Sequence, residues 1–476
     1  VVAEKSHKEG YQKGSLQTIA ALATAAAPAG IAVIRVSGSD TRRALSALFQ
    51  SPKSPTRTPR RLIYGQIVDH KTNAPIDSAL AVFMPGPNSY TGEDVVEFQL
   101  HGSLILVQRV LRSLYAFGIA PAEPGEFTKR AFLNGKLDLA QAEAISDLIH
   151  ANSQEALRIA SEQMSGKLST AIAELAEPLR DSLAELEAGI DFPEEDIEPA
   201  KISALRVRIG EIRNTVKKFI ASYSYGQVIR EGFRVLLCGL PNAGKSTLLN
   251  SFLGTERAIV TDIPGTTRDL IEETATIQNK KFVFCDSAGI TETTDTVEKI
   301  GVELAKGRLA WADVVLLVVD GSDKSDATKG AVRAVMELAR QRASQVWMVV
   351  NKIDQNPNVI AHFVLESSEV HRIFFLSAKT GEGFEALRDA LADEVTKRLP
   401  ESAASSIVLT NERHRSCFVA AAQSLERLLE AMDAQLPAEI LSAELRATLA
   451  ALDEIVGRTW TEDILGRIFS KFCIGK

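Results

Sequence analysis

The stretch "FRVLLCGLPNAGKSTLLNSFLG", residues 233–254, limits the possible folds more than any other part of the chain. An apolar run enters Gly239-Leu240-Pro241-Asn242-Ala243-Gly244-Lys245-Ser246 and leaves as a helical pattern. G-x-x-x-x-G-K-S between a strand and a helix calls for a mostly parallel α/β sheet, with the loop at the strand's carboxyl end. Glycines let backbone N–H groups face phosphate oxygens, and the helix N-terminus adds positive potential. Lys245 would reach the β- and γ-phosphates and Ser246 would hold Mg²⁺. A Gly-rich turn can match this pattern by chance, so the neighbouring segments matter.

Three of them fit the same reading. "FVFCDSAG" is a strand ending in D-x-x-G, where Asp286 can hold Mg²⁺ through water and Gly289 can offer its N–H to the γ-phosphate. "WMVVNKID" ends in N-K-x-D with Asn351, Lys352 and Asp354. Asp354 can accept from the N1–H and 2-amino edge of guanine; adenine lacks those donors, and an unmet buried carboxylate discriminates strongly. "FFLSAK" supplies Ser377, Ala378 and Lys379 to brace the base. The order and contexts are those of a small GTPase domain, so GTP contacts fall on Asn242, Ala243, Gly244, Lys245, Ser246 and Thr247, and on Asp286, Ser287, Ala288 and Gly289. "TDIPGTTRD" contributes Thr261, Asp262, Ile263, Pro264, Gly265, Thr266 and Thr267 at the place of a switch loop. Thr266 and Thr267 are both candidates for a Mg²⁺ ligand. Ile290 follows Gly289, where Ras-like enzymes carry a water-orienting Gln. That role is vacant; Glu292, Asp295 and Glu298 follow and read, by spacing alone, as a solvated charged segment.

The rest of the 476 residues has a different grammar. Residues 1–14 are polar and read as a disordered or added extension. Residues 15–136 mix β-rich runs ("IAVIRVSG", "RLIYGQIV", "ALAVFM", "DVVEFQLHG") with the helix "SLILVQRVLRSLYAFG", which should stop at Gly118. Residues 137–231 and 397–476 are Ala/Leu/Glu-rich with helical periodicity, and 232–396 alternates buried strands with helices. The fold class is therefore a multidomain α/β and all-α chain: an N-terminal α+β domain and a helical domain interrupted by an inserted P-loop domain. With 45% hydrophobic and 24% charged residues the chain can bury real cores. A net charge of -7 argues against a surface devoted to phosphate, though not against a local basic groove. Cys238, Cys285, Cys417 and Cys473 are too scattered for a metal cage; the first two should be core residues. No run reaches membrane-span length and no secretory leader is visible, which reads as cytoplasmic.

Together "GLPNAGKS", "TDIPGTTRD", "DSAG", "VEKIGVE", "DFPEED", "GPNSYTGEDVVE", "PGEFTKRAFLNGKLDLAQAEAI" and the final "CIGK" resemble the tRNA-modification GTPase family MnmE, also called TrmE, from about Ser15 to Lys476. The resemblance implies a cytoplasmic homodimer. It also implies an FAD-dependent partner, MnmG (GidA), and modification of C5 of the wobble uridine in certain tRNAs with a folate-carried one-carbon unit. It makes the N-terminal domain folate-binding and dimer-forming. It implies K⁺ held by Asn242, Thr261, Ile263 and Thr266, Mg²⁺ held by Ser246 and Thr267, and Glu298 as the residue that orients the attacking water.

It also implies binding of 5-formyltetrahydrofolate or a related tetrahydrofolate by Arg35, Glu97, Lys136 and Lys476, with Cys473 as a catalytic candidate. From residues alone, Arg35 and Glu97 read equally as an ion pair between strands. "KFCIGK" is no prenylation box, since Gly475 and Lys476 are not aliphatic. The apolar Ile464, Leu465, Ile468, Phe469 and Phe472 ahead of it predict a docked tail. A rival reading is a ribosome-assembly or RNA-chaperone GTPase switch, which calls for an RNA module that the sequence does not display. "KSPTRTPRR" is the best basic stretch; a charged loop is the simpler account of it.

Overall fold

The computed structural model describes residues 17–191, 199–239, 241–255, 272–286, 311–322, 345–355, 370–398 and 407–476. The chain forms two compact units. One comprises residues 1–149, 161–206 and 423–476; the other comprises 150–160 and 207–422.

The first unit is built on a seven-stranded sheet. Its strands are β1 (Ile19–Leu22), β2 (Ala29–Ser37), β3 (Phe49–Gln50), β4 (Ile63–Val68), β5 (Pro75–Met84), β6 (Val95–Gly102) and β7 (Ala120–Pro121), in the order β3-β4-β5-β6-β2-β1-β7. Alternation decides its two faces. Ile34 and Val36 of β2, Phe83 of β5, and Val96, Phe98 and Leu100 of β6 point into a core closed by α1 (Thr41–Leu48) and α2 (Leu104–Phe117). Residues between them, Arg35 and Glu97 among them, lie on the opposite face. The four strands expected from the sequence form. α2 stops where expected: Gly118 is left-handed at φ 108° and its N–H caps onto the carbonyls of Leu114 and Tyr115. β1 was not foreseen, because "IAAL" carries no strand-favouring alternation; pairing with β2 makes it a strand.

Helices α3 (Glu126–Leu133), α4 (Leu139–His150), α6 (Lys167–Asp191) and, after the second unit, α11 (Ala438–Val456) and α12 (Glu462–Phe469) complete the first unit. α4 at its last residue, α5 (Gln154–Met164), α7 (Pro199–Glu231) and α10 (Glu412–Asp433) each contain a division point between the units.

The second unit holds a six-stranded sheet of β8 (Phe233–Cys238), β9 (Glu272–Ile277), β10 (Lys280–Asp286), β11 (Val314–Asp320), β12 (Gln345–Asn351) and β13 (Arg372–Phe375). The order is β13-β12-β11-β8-β10-β9, parallel except at β9. Its central strands are continuous apolar runs because both faces are buried, with α8 (Lys245–Thr255) and α9 (Phe384–Lys397) among the helices. Cys238 and Cys285 are core residues here, as expected. The chain returns from the sheet at residues 407–410, which cross α7 where that helix has no side chain. A Cβ on Gly226 would stand 2.0 Å from the Leu409 carbonyl oxygen. Ser222 Oγ bonds Leu409 N at 3.0 Å beside it.

Gly226→Val should therefore destabilise this unit by about 1–3 kcal/mol, the usual cost of overpacking. Calorimetry of the full chain should show its transition lowered by several degrees; an unchanged transition would mean that the crossing is not tight.

Candidate functional sites

In the second unit the parallel register brings five strand ends to one edge, the usual ligand position of such sheets. Leu237 is level with Asp286, Asp320 with Asn351, and Val350 with Phe375. Immediately beyond β8 the chain needs glycine twice. At Gly239, φ +145°, a Cβ would meet the Val318 carbonyl at 2.1 Å; at Gly244, φ +93°, it would meet Asn351 Nδ2 at 2.2 Å. The loop between them thus lies closely against β11 and β12, and its turn is completed by a left-handed Asn242 (φ 63°). Lys245 is buried and donates from Nζ to the Gly239 carbonyl at 2.9 Å, so its ammonium is folded back over the loop. Ser246 Oγ donates to Asp286 Oδ2 at 3.3 Å, which sets a hydroxyl and a carboxylate side by side at the start of α8. Thr247 follows, exposed on the first turn.

Asn351 holds the arrangement together. Its Nδ2 donates to the Ala243 carbonyl and its Oδ1 accepts from the Ala378 N–H, both at 2.9 Å and both buried. One side chain thus fixes the phosphate-loop motif against the "SAK" motif. Ser377 is fully buried and its Oγ accepts from Thr380 N, while Lys379 is exposed. Lys352 is left-handed at φ 63° and its ammonium meets Asp320 Oδ2 at 2.6 Å. Burial pushes the Asp320 carboxyl upward, but hydrogen bonds from Lys352 and Ser322 outweigh this and hold it below the usual carboxylate range. Asp354 is exposed in the short turn Ile353–Gln355. Asp320 was missed from the sequence, where "ADVVLLVVDG" read only as a buried strand; its signal was an Asp ending that strand beside N-K-x-D. Burial drives the Cys238 thiol up to about 12 against the pull of Lys245, leaving it unsuited to nucleophilic work. Thr261, Asp262, Ile263, Pro264, Gly265, Thr266, Thr267, Ser287, Ala288, Gly289 and Glu298 lie outside the described residues.

In the first unit Arg35 and Glu97 face each other across β2 and β6, with Nε donating to Oε1 at 2.9 Å. The guanidinium also lies 5.4 Å and 5.6 Å from the ring centres of Tyr90 and Phe127, and its Nη1 donates to the Gly475 carbonyl at 3.4 Å. The tail is docked. Phe469 and Phe472 pack with Phe132, Leu139 and Leu465. Ile474 bridges Pro124, Gly125 N donates to the Cys473 carbonyl, and Phe127 N donates to a Lys476 carbonyl oxygen. Gly475 must be glycine here: at φ +95° its Cβ would lie 2.0 Å from the Leu22 carbonyl oxygen. Cys473 is exposed and Lys476 half-buried. Lys136 Nζ donates to the Pro87 carbonyl at 3.0 Å, on the loop that carries Tyr90.

Sequence reasoning assigned no role to Arg130, although "FTKRAF" contained it. Arg130 is buried and answered by Glu93, Glu126 and the Gln17 carbonyl, while Ser37 Oγ donates to Glu93. This network fixes the floor beside Tyr90, whose hydroxyl pairs with Thr128 and is pushed up by burial.

The parallel sheet, its glycine-shaped loop and the N-K-x-D and S-A-K contacts define the second unit as a P-loop GTPase domain. The family "MnmE helical domain" matches residues 139–473 and "GTP-binding protein TrmE N-terminus" matches residues 18–136. Proteins called tRNA modification GTPase MnmE from Clostridioides difficile and Geobacter sulfurreducens are 40% and 39% identical over 462 and 459 residues, in each case 96% of this chain and 99% of theirs. The chain belongs to the MnmE family. Among solved structures, the G domain of the T. maritima FeoB iron transporter is 24% identical over 34% of this chain and 97% of its own, with a TM-score of 0.26. Among the described residues no helix is long and apolar enough to cross a membrane.

Asn351→Ala would leave two buried backbone groups without partners, at about 1–3 kcal/mol. GTP affinity, read by titration with a fluorescent analogue, should fall about 10- to 100-fold. An unchanged Kd would remove Asn351 from its bracing role.

Proposed function

We propose that this chain hydrolyses GTP in the service of tRNA modification. With an FAD-dependent partner of the MnmG (GidA) type, it alters C5 of the wobble uridine using a one-carbon unit on a tetrahydrofolate. The observation that carries the GTP reading is the Asn351 clamp between the phosphate loop and the S-A-K turn, at the edge where Asp286 and Lys352 also end.

The residues present suit the groups this reading requires. Lys245 would exchange its contacts within the loop, the Gly239 carbonyl among them, for phosphate oxygens. Asp354 accepts from the guanine edge, and Ser377, Ala378 and Lys379 brace the base. Mg²⁺ belongs with Ser246 and Thr267, near Asp286, and K⁺ with the oxygen donors Asn242, Thr261, Ile263 and Thr266. When bound, the two cations supply positive charge against the phosphates, the role an arginine finger fills at about 10³–10⁵-fold in Ras-type enzymes. Glu298 takes the water-orienting role that Ile290 cannot perform.

In the first unit Glu97 offers a carboxylate to the donors of a pterin edge. Arg35 and Lys476 offer cations, and Lys136 suits a glutamate tail or carbonyl of the folate. The tail presents Cys473 in solvent at that site, as a catalytic residue. A row of residues, Tyr64–Leu80–Gln99–Val33, exposed at Tyr64 and half-buried at the other three, crosses four strands on the sheet face away from the core and supports a homodimer through this domain. The domain limits 15–136, 137–231, 232–396 and 397–476, and a cytoplasmic location, belong to the same proposal. Kinship with tRNA modification GTPases favours this reading over a ribosome-assembly switch.

GTP turnover should require K⁺ and collapse in Na⁺ or in Asn242→Ala, and Glu298→Ala should bind GTP normally yet hydrolyse it slowly. Equal rates in both salts would contradict the potassium assignment. Nucleoside analysis of tRNA from a deletion strain should show unmodified wobble uridine; normal tRNA would contradict the proposed function.

A further inference from the structure

Between Thr41 and Val68 the sequence carries six basic residues and no acidic one, in a chain of net charge -7. Two of the six are neutralised: Arg42 by Asp94 at 2.6 Å and Arg43 by Asp40 at 2.7 Å. The other four, Lys53, Arg57, Arg60 and Arg61, are exposed and have no carboxylate partner among the described residues. Four like charges within nine residues repel one another, and no carboxylate among the described residues pairs with them.

The segment is also stiff. Pro52, Pro55 and Pro59 restrict its backbone. Pro55–Arg57 forms a 3₁₀ turn, Ser51 Oγ bonds the Lys53 carbonyl at 2.7 Å, and Arg57 N bonds the Ser54 carbonyl at 3.1 Å. Arg60 is fixed in a left-handed conformation by its N–H bond to the Phe83 carbonyl at 2.8 Å. Side chains on such a segment lose little backbone entropy when they meet a ligand.

Its position gives the charge a use. The loop of residues 86–91 touches Arg60 of the basic segment and two residues of the folate site within four positions. Arg60 donates to the Asn88 carbonyl, Lys136 donates to the Pro87 carbonyl, and Tyr90 lies against Arg35. Arg60, at the end of the basic segment, is therefore joined through this one loop to the surroundings of Arg35 and Glu97. We propose that Lys53, Arg57, Arg60 and Arg61 form a docking surface for the phosphate backbone of tRNA and bring the RNA to that site. The inference rests on the proposed tRNA-modifying function. The contact reads backbone charge and not base sequence, since flexible cationic side chains position the RNA without specifying it.

The test is binding of substrate tRNA to the full chain across a salt series. Lys53→Ala/Arg57→Ala/Arg61→Ala should bind at least tenfold more weakly at low salt. The slope of log K against log salt should become shallower by about 2 to 3, close to one unit per lost phosphate contact. Arg57→Lys/Arg61→Lys should keep both. Arg43→Ala, whose charge is already paired, should move neither. GTP hydrolysis and melting temperature should be unchanged in all of them. A triple variant with wild-type affinity and slope overturns the inference, as does a wild-type chain with no salt-dependent tRNA binding. Loss of affinity for the flavoprotein partner with tRNA binding intact also overturns it, by assigning the patch to a protein. Patch-dependent binding alongside normal wobble uridine in a deletion strain would instead overturn the modifying function and leave the docking surface standing.

Discussion

The guanidinium of Arg35 is the interaction on which the first unit's arrangement turns. A cation set among apolar strands must be answered by hydrogen bonds and charge. Arg35 is answered from three directions: Glu97 on the neighbouring strand, the rings of Tyr90 and Phe127, and the carbonyl of Gly475. The last of these ties two residues 440 positions apart. The pair is present, and the same cation is shared with the tail and remains partly open to solvent.

In the second unit the comparable constraint is neutral. Asn351 uses one amide to satisfy a carbonyl and an N–H from segments 135 positions apart (243 and 378). Gly244 permits this only because a Cβ there would occupy the amide's place. Glycine in the loop is therefore required by packing against β12 as well as by the approach of phosphates. Lys352 and Asn242 both take left-handed backbone, an uncommon conformation for side-chain-bearing residues. It falls here on two of the motifs that shape the site.

Much of this was legible beforehand because the signals were local. The G-x-x-x-x-G-K-S turn, the buried strands and the Gly118 cap depend on a few adjacent residues, and the structure has them where expected. The docked tail was legible too, from apolar residues at 464–472 that would be costly to leave in water. What escaped was non-local. β1 is a strand because β2 pairs with it. Asp320 matters because β11 is level with β12. Arg130 is buried because Glu93, from another segment, meets it beside Glu126 of its own helix. The charge of the 53–61 segment could be counted in the sequence, but the link from Arg60 to the loop that carries Tyr90 could not.

The central claim is that the docked tail and Arg35 form one folate-binding site, and calorimetry with 5-formyltetrahydrofolate tests it most directly. Wild type should give saturable heat. Gly475→Val, whose side chain cannot fit beside the Leu22 carbonyl, should bind at least tenfold more weakly while hydrolysing GTP at the wild-type rate. No heat from wild type, or a Gly475→Val variant that binds as tightly, would contradict the account.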